Sequence, residues 1–224
     1  MKMNHIGKSR RSVLFGALAA LLALSFAGAS NAAPNPQKNG DKMKSPVVKE
    51  TATFAAGCFW SMEAIFKQLK GVEKVEPGYS GGKLVKPSYE QVETGNTGHA
   101  EALNITFDPK TISYKDLLEV LLTVRNPTTI DKQGNDEGPQ YRSVIFYRNE
   151  EQRKATEEMF KKINDSKLWK NPIVTTIQPY TMFYRAEDYH FDYYRLHPNQ
   201  SYCKFVIAPE IEEFRKKFKS KLKK

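Results

Sequence analysis

The stretch ATFAAGCFWSMEAIF, from Ala52 to Phe66, places one of the chain's two cysteines between a glycine and two large aromatics. A strand-like run gives way there to apolar residues at helical spacing, Met62, Ile65, Phe66 and Leu69, so Cys58 is expected to open a helix. A thiol at a helix N-terminus faces unpaired backbone N–H groups and the positive end of the helix dipole. Both favour the thiolate and make Cys58 a candidate nucleophile. Gly57 is expected to keep the approach to the sulfur open, and Phe59 and Trp60 to form an apolar wall beside it.

A second segment, TGHAEALNITFD, supplies an acid. In a strand, alternate residues share a face, so Glu101 points the same way as Leu103, Ile105 and Phe107. A carboxyl at the end of an apolar stripe is desolvated, which raises its pKa above the usual ~4.3 and keeps it partly protonated near neutrality. A neutral acid beside a thiolate can protonate an oxygen as the sulfur attacks. His99 lies two residues earlier on the same parity, and a Cys58/His99 dyad is an alternative reading.

The elements that must hold these groups follow from the rest of the chain. Strands are expected at Thr51–Ala55, Val72–Tyr79, Ala100–Phe107, Tyr141–Tyr147 and Ile173–Ile177. Helices are expected from Cys58 to a stop at Gly71, from the SYKD capping box at Ser113 to Asn126-Pro127, and over Glu150–Ile163. The order β-α-β-β-α-β is the split βαβ pattern of an α+β, ferredoxin-like two-layer sandwich, extended by further strands and helices and a long irregular C-terminal segment. Two stretches resist this description. Residues 126–140, NPTTIDKQGNDEGPQ, form a polar loop of a length that is commonly functional or disordered. Residues 180–202 are rich in tyrosine and are expected to pack their own aromatics in irregular chain.

At 224 residues and 40% hydrophobic the chain can bury one core. Residues 1–32 have the layout of an export signal, with a basic start ending KSRR, an apolar run and small residues at SNAA. Residues 33–50 read as a flexible linker and 51–224 as the catalytic domain. SRRSVLF resembles a twin-arginine signal but also suits the ordinary route, so the route stays open, and an uncleaved membrane anchor is the alternative to cleavage. The formal charge of +10 falls to about +6 without Lys2, Lys8, Arg10 and Arg11. An exported chain of that charge is not expected to bind nucleic acid, nor to stay in the membrane once the signal is removed. Two cysteines in an exported protein leave a structural Cys58–Cys203 disulfide open.

GCFW after a short strand, SYEQVETGNTGHAEA, QGNDEGPQYRS and EDYHFDYY followed by SYC, in this order, resemble methionine sulfoxide reductase A from about Thr51 to near the end of the chain. The resemblance implies that Cys58 is the nucleophile and Glu101 the acid that protonates the sulfoxide oxygen. Tyr89 and Tyr141 would be hydroxyl donors to that oxygen, Asp136 would position the substrate, and Phe59 and Trp60 would receive its S-methyl group; His99 would line the substrate site. It implies no metal or organic cofactor, action on the S epimer, and a Cys58 sulfenic acid that Cys203 resolves to a disulfide. The expected partners are proteins or peptides carrying methionine sulfoxide and a thioredoxin-like donor, and the expected state is a monomer in the periplasm. Ser61, Glu93, Pro139 and Phe191 depart from common family patterns, and serine at 61 and glutamate at 93 exclude resolving cysteines there. Two rivals remain: a binding module stapled by a Cys58–Cys203 disulfide, and a cysteine hydrolase using His99 or His190.

Overall fold

The computed structural model describes residues 48–224. The export signal read over residues 1–32, and all but the end of the linker read over 33–50, lie outside the described residues. In chain order the strands are β1 (Glu50–Ala55), β2 (Val72–Ser80), β3 (Ala100–Phe107), the two-residue pair β4 (Lys132–Gln133) and β5 (Asp136–Glu137), β6 (Val144–Tyr147), β7 (Thr176–Pro179) and β8 (Phe183–Arg185). The helices are α1 (Phe59–Phe66), α2 (Tyr89–Glu93), α3 (Tyr114–Val124), α4 (Glu150–Ser166), α5 (Tyr193–Leu196) and α6 (Ala208–Lys217).

Six strands form one sheet in the order β7-β6-β1-β3-β2-β8. Its four central strands, β6-β1-β3-β2, pair antiparallel throughout, which is the ferredoxin-like arrangement. The two edge strands are additions: β7 lies parallel to β6, and β8 antiparallel to β2.

Alternation along the strands sorts the core. Ala52 and Phe54 of β1, Leu103, Ile105 and Phe107 of β3 and Ile145 of β6 face the helices. They pack there against Phe59, Met62, Ile65 and Phe66 of α1, Leu117, Leu118 and Leu121 of α3, and Ile211 and Phe214 of α6. The opposite face is small, with Ala55, Ala100, Ala102, Val144 and Phe146 covered by Tyr180 and Phe183. The capping box at Ser113 is present, its side chain accepting from the Asp116 N–H while Asp116 accepts from the Ser113 N–H.

Several boundaries differ from the sequence reading. The helix α1 stops at Phe66, five residues before Gly71, because the chain turns there to meet Leu222 in a short bridge at Leu69. The strand expected from Tyr141 begins only at Val144, since Pro139–Tyr141 forms a 3-10 turn. The strand expected at Ile173–Ile177 is shifted to Thr176–Pro179, where its partners on β6 lie. The polar loop holds the small β4–β5 hairpin, and the C-terminal segment ends in α6 after a π-helical turn over Cys203–Ile207.

At Gly78 the β8 backbone packs close over β2: a Cβ there would lie 2.3 Å from the Tyr184 carbonyl oxygen and 2.4 Å from the Phe183 ring. The β2–β8 pairing therefore depends on its absence, and β8 leads directly into Glu187, which accepts from the Tyr89 N–H. Gly78→Ala is expected to destabilise the fold by about 2 kcal/mol or more. Denaturant unfolding checks this, and an unchanged midpoint would show that β8 is not held by this contact.

Candidate active site

The turn between β1 and α1 sets the position of the nucleophile. Gly57 has φ +79°, a conformation open to glycine, and a Cβ there would strike the Arg125 guanidinium at 2.5 Å and Gln133 at 2.6 Å. Its role is thus to let the turn close against Arg125 and Gln133 rather than to clear a path to the sulfur. Its N–H donates to the Tyr141 carbonyl oxygen at 3.1 Å, tying the nucleophile's turn to the segment that carries Tyr141. Cys58 then occupies the N-cap position of α1, 5% exposed.

Antiparallel pairing of β1 with β3 brings the start of β3 to the same end of the sheet as this turn. Glu101, 2% exposed, accepts a hydrogen bond from the Phe59 N–H at 2.8 Å on Oε2. The acid is therefore attached to the residue next to the nucleophile, on the helix-facing side that strand parity assigned it, and is shut away from solvent. Burial drives its pKa well above the usual carboxylate range; the Phe59 hydrogen bond and the charge of Arg125 oppose this, and the charges of Glu93 and Asp136 add to it.

The thiol behaves differently from the helix-terminus expectation. The Trp60 N–H and the Arg125 charge do favour the thiolate, but burial outweighs them and the charge on Glu101 adds to burial, so the Cys58 pKa is raised. The local dipole argument has the right sign for its own contribution and neglects the larger cost of desolvating the sulfur.

Asp136 reaches the site from the β4–β5 hairpin. Its carboxylate accepts from the Tyr202 hydroxyl at 2.6 Å. Burial raises its pKa, while Tyr202 and Arg125 lower it. Burial, and after it the neighbouring Cys58, raise the Tyr202 hydroxyl pKa, and its ring meets Trp60 edge-on at 6.2 Å. The end of the aromatic-rich segment thus lies beside the nucleophile's turn. Cys203, the next residue, is fully buried, and both cysteines are free.

Phe59 is buried in the main core against Tyr79, and Trp60 is half-exposed and stacked on Tyr193 at 3.8 Å. Tyr89 and Tyr141 are both half-buried and both feel the charge of Glu101, which with burial keeps them protonated. The Tyr141 hydroxyl donates to Glu93 at 3.0 Å.

His99 is not part of this constellation. Its Nδ1 accepts from the Gly82 N–H at 3.1 Å and its Nε2 faces the Leu84 carbonyl oxygen at 2.8 Å. Both ring nitrogens are used to hold the 82–84 loop, which leaves no lone pair for a thiol and rules out the Cys58/His99 dyad.

Four supporting residues take roles that the sequence did not assign them. His190, fully buried, accepts from the Trp60 indole N–H at 3.0 Å on Nδ1, which places its own proton on Nε2. Burial lowers its pKa to about 4, so it is a neutral prop for Trp60 with no base to offer a hydrolase mechanism. Arg125, 2% exposed, donates to the Ala56 carbonyl oxygen at 2.8 Å, to Ser61 at 3.2 Å and to Glu210 at 2.7 Å. Ser61 also donates to Glu210, so the serine that departs from the family pattern joins the start of α1 to α6. Tyr79 lies opposite Glu101 in the β2–β3 register and donates to Glu187, which also accepts from the Tyr89 N–H.

A family model described as peptide methionine sulfoxide reductase matches residues 50–222. Relatives include peptide methionine sulfoxide reductase MsrA of Polynucleobacter asymbioticus, 50% identical over 171 residues that cover 76% of this chain and 90% of that one. The protein of that name from Sulfolobus acidocaldarius is 53% identical over 172 residues, 77% of this chain and 97% of the relative. Among solved structures, reduced Mxr1 from Saccharomyces cerevisiae aligns with a TM-score of 0.66 at 32% identity, covering 71% of this chain and 91% of that chain. Methionine sulfoxide reductase A of Corynebacterium diphtheriae aligns with a TM-score of 0.60 at 30% identity, covering 69% and 77%. The sheet order, the buried acid beside the helix-capping thiol and these matches lead to one conclusion: the chain belongs to the peptide methionine sulfoxide reductase A family.

Proposed function

We propose that Cys58 reduces the S epimer of methionine sulfoxide, in peptides and as the free amino acid, with Glu101 as the acid. As a member of its family the chain is an oxidoreductase acting on methionine sulfoxide. The observation that carries the assignment of roles is the burial of Glu101 one hydrogen bond from the residue after Cys58. Sulfoxide oxygen is a poor leaving group. Attack of the Cys58 sulfur on the sulfoxide sulfur is productive only if that oxygen receives a proton as negative charge develops on it.

In the resting site burial keeps protons on both the thiol and the carboxyl. Glu101 gives its proton to the oxygen as the sulfur–sulfur bond forms, and the proton of the thiol replaces the one that Glu101 has lost. The hydroxyl then passes to the Cys58 sulfur as the methionine thioether departs. The balance is one thiol and one sulfoxide giving one sulfenic acid and one thioether. Tyr89 and Tyr141 donate hydrogen bonds to the oxygen, Trp60 and Phe59 receive the methyl group, and Asp136 positions the substrate. All the electrons come from sulfur, so the chemistry needs neither metal nor organic cofactor.

Cys203 then condenses with the sulfenic acid, releasing water and forming the Cys58–Cys203 disulfide. Support comes from the contact of its neighbour Tyr202 with Asp136 and its nearness to Cys58. A thioredoxin-like dithiol returns the pair to its reduced state by exchange. We assign the enzyme to the periplasm, as a monomer that repairs oxidised exported proteins, on the layout of residues 1–32. The donor there would be a periplasmic thioredoxin-like protein.

Two measurements test these roles. Glu101→Gln removes the proton donor while keeping the shape of the side chain, and is expected to reduce turnover of a blocked methionine S-sulfoxide with dithiothreitol by at least about 100-fold. Turnover within a few-fold of the wild type would place Glu101 outside the reaction. Separately, Cys203→Ser is expected to yield one methionine per enzyme with a thioredoxin-like donor, and repeated turnover by that variant would contradict the resolving role.

A further inference from the structure

Glu93 closes α2 beside the active site, at a position where the family often carries a different residue. Its two carboxyl oxygens have unequal surroundings. Oε2 accepts from the Tyr141 hydroxyl at 3.0 Å, whereas Oε1 is buried and has no hydrogen-bond partner. A buried carboxylate oxygen without a donor is costly, and a proton on that carboxyl relieves the cost.

The groups around it favour the same outcome. Tyr141 faces it from the 3-10 turn, Asp136 from β5, Glu101 from β3 and Tyr89 from the other end of α2. The Gln140 amide N–H donates to the Glu93 backbone carbonyl oxygen at 3.4 Å. Burial raises the Glu93 pKa, the Tyr141 hydrogen bond lowers it and the Asp136 charge raises it, with no basic side chain acting on it.

A phenol has one proton to donate. While Glu93 is ionised, it holds the Tyr141 O–H, and a sulfoxide oxygen near Tyr141 would meet lone pairs. We propose that Glu93 is a positioning acid for the reduction: protonated, it donates to Tyr141 Oη and releases the Tyr141 O–H to the sulfoxide oxygen; ionised, it withdraws that donor. This rests on the role of Tyr141 given under Proposed function. No covalent bond to carbon or sulfur changes in this step; one hydrogen bond reverses its direction.

The order of titration follows from burial. Glu101 is fully enclosed and Glu93 only half so, and as pH rises Glu93 loses its proton first. The falling limb of kcat/KM against pH therefore belongs to Glu93 in the wild type. Glu93→Gln keeps a neutral group whose N–H can donate to Tyr141, and Glu93→Ala leaves nothing to capture the phenol.

The experiment follows reduction of a blocked methionine S-sulfoxide with dithiothreitol across pH for the wild type, both Glu93 variants, Tyr141→Phe and the Glu93→Gln/Tyr141→Phe double variant. Both Glu93 variants are expected to move the midpoint of the falling limb up by about one pH unit or more. Glu93→Gln is expected to produce no shift when Tyr141 is already phenylalanine. An unmoved midpoint, a midpoint that moves down, or a shift that persists without the Tyr141 hydroxyl overturns the proposal. Absence of wild-type turnover would instead overturn the assignment of the reaction, so the two failures are distinguishable. If one Glu93 variant fails to fold, the other carries the same expectation.

Discussion

The site depends on one hydrogen bond, from the Phe59 N–H to the carboxyl of Glu101, made where water is excluded. This contact joins the first turn of α1 to the first residues of β3, and so fixes the distance between a sulfur nucleophile and its acid through two rigid elements. It also sets a limit on protonation. A single backbone donor favours the carboxylate, but it does not offset full burial together with the charges of Glu93 and Asp136, so the pKa is raised well above the usual carboxylate range. The same enclosure raises the thiol. In the proposed mechanism two uncharged groups stand beside each other, and charge appears only when an S=O bond arrives to receive it.

The surrounding fold positions this pair. The ferredoxin-like core supplies the β1–α1 turn and the β3 end at one edge of the sheet. The additions to the core supply the side chains that brace its surroundings: Asp136 from the β4–β5 hairpin, Glu187 and His190 from the chain after β8, and Tyr202 and Glu210 from the C-terminal segment. Arg125 links these parts, since its guanidinium grips the β1–α1 turn, Ser61 and α6 together. A buried cation with three acceptors avoids the cost of an unpaired charge, and its field moderates the three acids around it.

What the sequence revealed follows the range of the forces involved. The side of β3 that Glu101 occupies was legible because strand alternation is strict, and the start of α3 because a capping box is a four-residue signal. Asp136, Tyr89, Tyr141 and Cys203 were picked out by their motifs, whereas the placing of the aromatic segment beside Cys58 depends on contacts across the fold. The direction of the thiol pKa was not legible, because a local dipole can be read from a helix start whereas desolvation depends on what the rest of the chain places on top of it. His99 shared the parity of Glu101, yet loop backbone beyond the strand claimed both its nitrogens. Arg125 and Tyr79 act through partners far away in sequence and had no local pattern to announce them, and the EDYHFDYY motif that contains Glu187 and His190 did not say what they would hold.

The central claim is that Glu101 is a neutral carboxylic acid at working pH. Infrared difference spectra between the reduced wild type and Glu101→Gln at neutral pH address it directly, because a protonated carboxyl and a carboxylate absorb in separate regions. The account predicts the loss of a protonated carboxyl C=O band in the variant. Loss of carboxylate bands alone would mean that the acid is ionised at rest, and would contradict it.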